Sequence, residues 1–280
     1  MAKHSQKARV TDLLEMKRTG RKITMLTAYD ATMAGIMDGA GIDVLLVGDS
    51  LGMVVLGDDT TVGVTLDMMV HHCRAVSKGA ARALIVADLP FLTYHTSVAD
   101  AMRNAGRLIQ EGRAEAVKLE GGTTSCAVVR ALTGAGIPVM GHLGLLPQHV
   151  HRLGGFRPVG KSRDEAEQLA ADAHALEDAG VFALVLESIP NGLARRVTSE
   201  VTIPTIGIGA GPHCDGQVLV SYDAFGLFQS FVPRFVKRYA ELGAAMTEAT
   251  RAYIDEVHSG TFPSAEHSIA AESAGASVPE

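Results

Sequence analysis

Residues 44–50 read VLLVGDS, an unbroken apolar run that turns at its end into a glycine, an acid and a serine. A Val/Leu run without polar alternation belongs to a strand buried on both faces, the condition of a strand in a parallel sheet. The pattern recurs: LIVADLP (84–90) arrives at Asp88, VKLEGG (117–122) at Glu120 and LVLESIP (184–190) at Glu187. Four strands thus deliver a carboxylate each to one rim. Concentrating like charge in this way is costly, and it points to a metal or a proton transfer.

Further strands are expected at Ile23 to Thr27, at Ile137 to Met140 running into Gly141 and His142, at Pro204 to Ile208 and at Val218 to Tyr222. Periodic helical segments separate them, and 280 residues suit a (β/α)8 TIM barrel. An open doubly wound sheet is the competitor, but a barrel explains better how distant strand ends converge. A helix over Thr11 to Arg18, capped by Thr11 and stopped by Gly20, is expected to close the bottom. Helices starting over Phe225 to Leu242 complete a single domain, residues 1–260, and residues 261–280 read as a C-terminal arm or disorder. Two connections are unusually long. Leu51 to Val64 is one; Leu143 to Arg163, whose glycines suit a movable lid, is the other.

Bulk properties exclude several classes. Net charge is −6 with scattered basic residues, so there is no footprint for nucleic acid. No apolar run approaches the roughly 20 residues that cross a bilayer, and the first ten residues lack a signal peptide's apolar core, so a cytoplasmic location is expected. Cys73, Cys126 and Cys214 are odd in number and far apart, and read as reduced packing residues.

The rim suggests chemistry. Asp49 and Asp88 suit a hard cation such as magnesium, which takes oxygen ligands, few of them protein carboxylates; Glu120 joins directly or through water. The competing role for Asp49 is a helix cap. Neither HExxH nor a Cys/His cluster is present, which argues against zinc. Lys118 lies two residues before Glu120, on the same strand face. It is suited to a substrate carboxylate, although a Schiff base or neutralisation of Glu120 is also open. His142 is placed to donate to a substrate oxygen or to serve the core. His71, His72, His149 and His151 have no firm placement. GIGAG at 207–211 suits either a phosphate cradle or a tight turn. A 2-oxo acid chelated by magnesium, losing a proton to a carboxylate held off the metal, is the chemistry such a set supports.

TAYDA (27–31), LLVGDSLGM (45–53), ADLPF (87–91), VKLEGG (117–122), GHLGLLPQ (141–148), LVLESIP (184–190), IGIGAG (206–211) and DGQVLV (215–220) closely resemble the ketopantoate hydroxymethyltransferase family. Leu146 departs from it, where the family's GHLGLTPQ has Thr. The resemblance implies a barrel of the phosphoenolpyruvate/pyruvate type and transfer of a one-carbon unit from 5,10-methylenetetrahydrofolate to 3-methyl-2-oxobutanoate, a step of pantothenate biosynthesis. It implies one Mg2+ per subunit held by Asp49, Asp88 and Glu120, oxo-acid contacts from Asp49, Ser50, Asp88 and Lys118, and Glu187 as proton acceptor. A homodecamer of two stacked five-membered rings is also implied. The alternative is a C–C or C–P lyase of the same barrel superfamily. Such lyases typically carry a reactive cysteine in a KKCG-like loop, absent here.

Overall fold

Each apolar run becomes a parallel strand, and the eight strands close on themselves. In chain order they are β1 (Ile23–Thr27), β2 (Val44–Val47), β3 (Leu84–Asp88), β4 (Ala116–Glu120), β5 (Val139–Gly144), β6 (Ala183–Glu187), β7 (Thr205–Ile208) and β8 (Gly216–Leu219). β8 pairs with β1, from Ile23 opposite Gly216 to Leu26 opposite Leu219, which leaves no free sheet edge. The fold is the (β/α)8 barrel read from the sequence. It is known from a computed structural model, which describes residues 7–155, 157–229 and 232–269.

The period of two along a strand positions the site. Ile23, Met25, Val44, Leu46, Leu84, Val86, Ala116, Met140, Ala183, Val185, Ile206 and Val218 form one buried cluster inside the barrel. Stepping on by two along the same strands puts Asp88, Lys118, Glu120, His142 and Glu187 on that inner face, nearer the C-terminal mouth. The barrel therefore has an apolar floor and a charged rim. Helix Val10–Thr19 adds Leu13 and Met16 to the floor, closing the bottom as expected. Complete burial of a leucine such as Leu13 is worth about 1.5–3 kcal/mol.

Several boundaries differ from the sequence reading, each for a local reason. The first helix begins at Val10 rather than after Thr11, because the Asp12 carboxylate accepts from the Arg9 backbone N–H at 2.8 Å and satisfies the helix start from within. β5 starts at Val139 and runs through Gly141 to Gly144. Gly141 is no stop: a Cβ there would lie 2.8 Å from the Leu184 side chain, so glycine permits close packing within a continuing strand. β8 lies earlier than Val218 to Tyr222, and its Gly216 lets the Ile23 carbonyl approach to 2.6 Å of where a Cβ would stand. The excursion after β2 is not structureless, since Gly52–Leu56 forms a wide helical turn ended by Gly57 in the left-handed conformation.

The chain divides into two compact units, one reaching Ser221 and including Pro233–Val236, the other comprising Tyr222–Val232 and the residues from Lys237 on. The barrel is the first. The described residues from Phe225 to Glu241 form no helix, contrary to expectation; Gly226 takes the left-handed conformation (φ 65°) near the start of that segment. The long helix is Leu242–Ser259, ended by Gly260, with the Tyr253 ring 5.8 Å from that of Phe262. This helix belongs to the second unit, so the boundary expected at residue 260 does not coincide with the division between units. The arm expected over 261–280 lies outside the described residues from 270 onward. Among the described residues no helix is long and apolar enough to cross a membrane. All three cysteines are free and buried.

Candidate active site

Register alone brings the rim residues side by side. Asp88 stands opposite Lys118 across β3 and β4, Glu120 opposite His142 across β4 and β5, and Gly144 opposite Glu187 across β5 and β6. Lys118 Nζ donates to Asp88 Oδ1 at 2.6 Å with both side chains buried, so its ion-pair partner is Asp88 and not the Glu120 considered from sequence. The Asp49 backbone N–H donates to Asp88 Oδ2 at 3.1 Å. The Asp49 side chain caps no helix; its Oδ2 accepts from Gln148 Nε2 at 2.9 Å. Asp30, by contrast, does cap the helix that follows it, through the Met33 N–H.

Ser50 sits beside this pair, its Oγ 2.9 Å from the Tyr29 hydroxyl. Gly48 makes the room: a Cβ there would stand 2.8 Å from Ser50 Oγ and 3.5 Å from Asp88 Oδ2. His142 lies between two carboxylates, with Nδ1 3.4 Å from Glu120 Oε1 and Nε2 3.2 Å from Glu187 Oε2. Neither contact has hydrogen-bond alignment, so both are ion-pair contacts. Glu187 is the most open of the rim acids, its side chain 15% exposed against 1% for Glu120 and 3% for Asp88. The chain turns away from it at Ser188, in the left-handed conformation (φ 50°) and tied by its N–H to the Ile208 carbonyl at 2.8 Å.

Electrostatics follow from crowding in a dry site. Burial raises the Asp49 carboxyl well above its ordinary value, and the neighbouring Asp88 and Glu120 push it the same way, with Lys118 and Gln148 opposing. Burial opposes the Lys118 charge, yet Asp88, Glu120 and Asp49 outweigh it and hold the ammonium above the usual lysine range. Burial and Lys118 likewise oppose a charged His142. Glu120 and Glu187 prevail, and the imidazole is pushed up to about 9. Glu120 is drawn below its usual range, because His142, Lys118 and the Gln148 backbone together exceed its burial penalty.

Two residues of this network escaped the sequence reading. Gln148 bridges Asp49 and Glu120, its backbone N–H donating to Glu120 Oε2 at 3.1 Å, and Tyr94 donates its hydroxyl to Gln148 Oε1 at 2.8 Å. A neutral amide in an aperiodic loop carries no signal; the one hint is Pro147, which opens a short turn and so directs the next side chain. Leu145, Gln148 and Val150 are buried, so the start of the segment read as a lid is packed structure. The GIGAG glycines serve packing: a Cβ on Gly209 would meet the Phe235 ring at 2.8 Å, and one on Gly211 would meet Asn191 at 2.6 Å. His72 Nδ1 lies 2.6 Å from the Tyr29 carbonyl with His71 edge-on to its ring, His149 is half-buried near His95, and His151 is exposed.

The donors suit a divalent cation in kind. Asp49, Asp88 and Glu120 offer only oxygen, and the rim gathers four carboxyl groups around one lysine and one histidine. Among the described residues, no three acidic, histidine or cysteine side chains are gathered into a ready ligand group.

A family model described as ketopantoate hydroxymethyltransferase matches residues 7–265. The chain belongs to the ketopantoate hydroxymethyltransferase family. It is similar to the 3-methyl-2-oxobutanoate hydroxymethyltransferase of Moorella thermoacetica, 59% identical over 267 residues that cover 95% of this chain and 99% of the relative. Membership makes it an enzyme, a hydroxymethyltransferase, as the sequence resemblance implied. Among solved structures it resembles 2,3-dimethylmalate lyase, a PEP mutase/isocitrate lyase superfamily member, with a TM-score of 0.57 at 18% identity over 90% of this chain and 88% of that one. A phosphonopyruvate hydrolase complex with oxalate and Mg++ gives a TM-score of 0.61 at 12% identity, covering 93% of each chain. At such identities the likeness is one of fold. The chain thus shares its (β/α)8 fold with these enzymes.

Proposed function

We propose that the chain transfers a one-carbon unit from 5,10-methylenetetrahydrofolate to 3-methyl-2-oxobutanoate, with water supplying the hydroxyl oxygen, to give 2-dehydropantoate and tetrahydrofolate. The observation that carries this reading is His142 set between Glu120 and Glu187 on the rim that also holds Asp49, Asp88 and Lys118. Asp49 and Asp88 would hold Mg2+, with Glu120 joining directly or through water. When bound, the ion supplies Lewis-acid polarisation of the oxo group, which acidifies the neighbouring C3–H.

The protein's own groups do the rest. Lys118, kept charged by the surrounding acids, neutralises the substrate carboxylate, and Ser50 donates to it from its place beside Asp88. Glu187 accepts the C3 proton at its carboxylate. The charged His142 holds Glu187 in place on one side and Glu120 on the other, and its burial keeps water from competing. C3 bonds to the folate-borne methylene carbon, both of whose bonds to nitrogen break in the course of the transfer; the two nitrogens take up protons and water gives that carbon its hydroxyl, so tetrahydrofolate leaves. Exposed apolar residues of the barrel unit, among them Ile36, Leu92 and Val98, suit burial in a homo-oligomer, for which a decamer is the family-based reading. A cytoplasmic location is part of the same reading.

Turnover tests it. With Mg2+, 3-methyl-2-oxobutanoate and 5,10-methylenetetrahydrofolate, mass spectrometry should detect 2-dehydropantoate formed in step with tetrahydrofolate. Cleavage of a C–C or C–P substrate with no such product would favour the lyase alternative.

A further inference from the structure

Gln148 engages the rim through both ends of its side-chain amide and through its backbone N–H. Nε2 has two hydrogens and two acceptors, Asp49 Oδ2 and the Leu89 carbonyl, each at 2.9 Å. Oε1 accepts from the Tyr94 hydroxyl at 2.8 Å, and the backbone N–H donates to Glu120 Oε2 at 3.1 Å. The Tyr94 hydrogen has a second acceptor, the Glu120 carbonyl at 3.2 Å, and its oxygen accepts from the Glu120 N–H at 3.1 Å. Tyr94 and Gln148 are both buried, 2% and 3% exposed. With two acceptors facing Nε2 and a phenol facing Oε1, the amide has one satisfied orientation.

Among the described residues, no other side chain donates to the Asp49 carboxylate, and none donates to its Oδ1. We propose that Gln148 is a positioning residue for the divalent cation: it engages Asp49 Oδ2 through its side chain and Glu120 Oε2 through its backbone, leaving Asp49 Oδ1 as the oxygen for the ion. The inference rests on the metal reading given above. The residue type follows from charge. A lysine at this position would compete with the cation, and an acid would add to the carboxylate surplus. An amide donates to Asp49 without altering the net charge of the site. Tyr94 acts through Gln148, fixing which end of the amide faces Asp49.

The test uses Mn2+ as the probe on the full chain without substrate, reading free Mn2+ by electron paramagnetic resonance alongside thermal unfolding. Gln148→Met should raise the Mn2+ dissociation constant about 10–100-fold, the range found for residues that orient metal ligands. Tyr94→Phe should weaken binding less, and the double variant no more than Gln148→Met alone. Wild-type Mn2+ affinity in Gln148→Met, even with a lowered unfolding midpoint, overturns the proposal, since a purely structural role would move the midpoint and not the affinity. Should Gln148→Met fail to fold, Tyr94→Phe decides: weakened Mn2+ binding supports the proposal and unchanged binding overturns it. A wild-type chain that binds no Mn2+ would instead overturn the metal reading itself, so the two failures are distinguishable.

Discussion

Replacing Lys118 with Met keeps most of the side chain's volume, shortens it by one atom and removes one charge. Lys118 and Asp88 form an ion pair of 2.6 Å with side chains 5% and 3% exposed, so solvent cannot take over the role of the lost partner. Breaking a buried pair by removing one member costs about 3–5 kcal/mol, because the remaining charge stays buried and uncompensated. In a domain of about 150–250 residues each kcal/mol moves the unfolding midpoint about 2–4 °C, so the metal-free variant should melt about 6–20 °C below the wild type. One control separates this mechanism from general damage. Mg2+ should restore more of the midpoint in the variant than in the wild type, because the ion supplies positive charge beside Asp88. Differential scanning calorimetry with and without Mg2+ measures both. A variant melting within about 2 °C of wild type, against the magnitude expected for a buried pair, would refute the reasoning that Lys118 compensates the rim acids.

Two further predictions concern other parts of the chain. Gly144 has φ 97°, and a Cβ there would stand 2.2 Å from the Glu187 carbonyl oxygen, so Gly144→Ala should destabilise by about 2–5 kcal/mol through backbone strain and overpacking. It should also disturb Glu187; denaturant unfolding and turnover together check it. In the second unit, burial raises the Asp223 carboxyl from 3.8 to about 6, with Arg238 opposing. A raised carboxyl favours folding below its unfolded pKa of 3.8 and loses that contribution as pH rises through about 6. Wild type should therefore lose, between pH 4 and 7.5, about 1 kcal/mol that Asp223→Asn does not lose, the figure being discounted for solvent screening. Denaturant unfolding of both forms at the two pH values decides it, and parallel curves would refute it.

The fold was legible because its signals are strong and repeated. Strands buried on both faces have to be apolar throughout, so β2, β3, β4 and β6 announce themselves, and the period of two then places Lys118 with Glu120 on one face. Glycines misled where packing rather than turning required them. Gly141 and Gly216 sit inside strands because a neighbouring side chain or carbonyl occupies the space of a Cβ, a tertiary fact with no local signature. The site was legible only as far as strand ends carry it. Which acid meets Lys118 depends on register between strands, and Gln148 enters from a loop whose path the barrel alone decides.

The central claim is that the rim removes the C3 proton of an oxo acid, with Glu187 receiving it, and this step can be observed without folate. In deuterium oxide with Mg2+ and 3-methyl-2-oxobutanoate, nuclear magnetic resonance should show wild-type enzyme exchanging the C3 hydrogen, the exchange stopping on chelation of the metal. Glu187→Gln should still bind the oxo acid but exchange at least about 100-fold more slowly, the lower end of what a positioned base contributes. Exchange at the wild-type rate in Glu187→Gln, or undiminished exchange after chelation, would contradict the account.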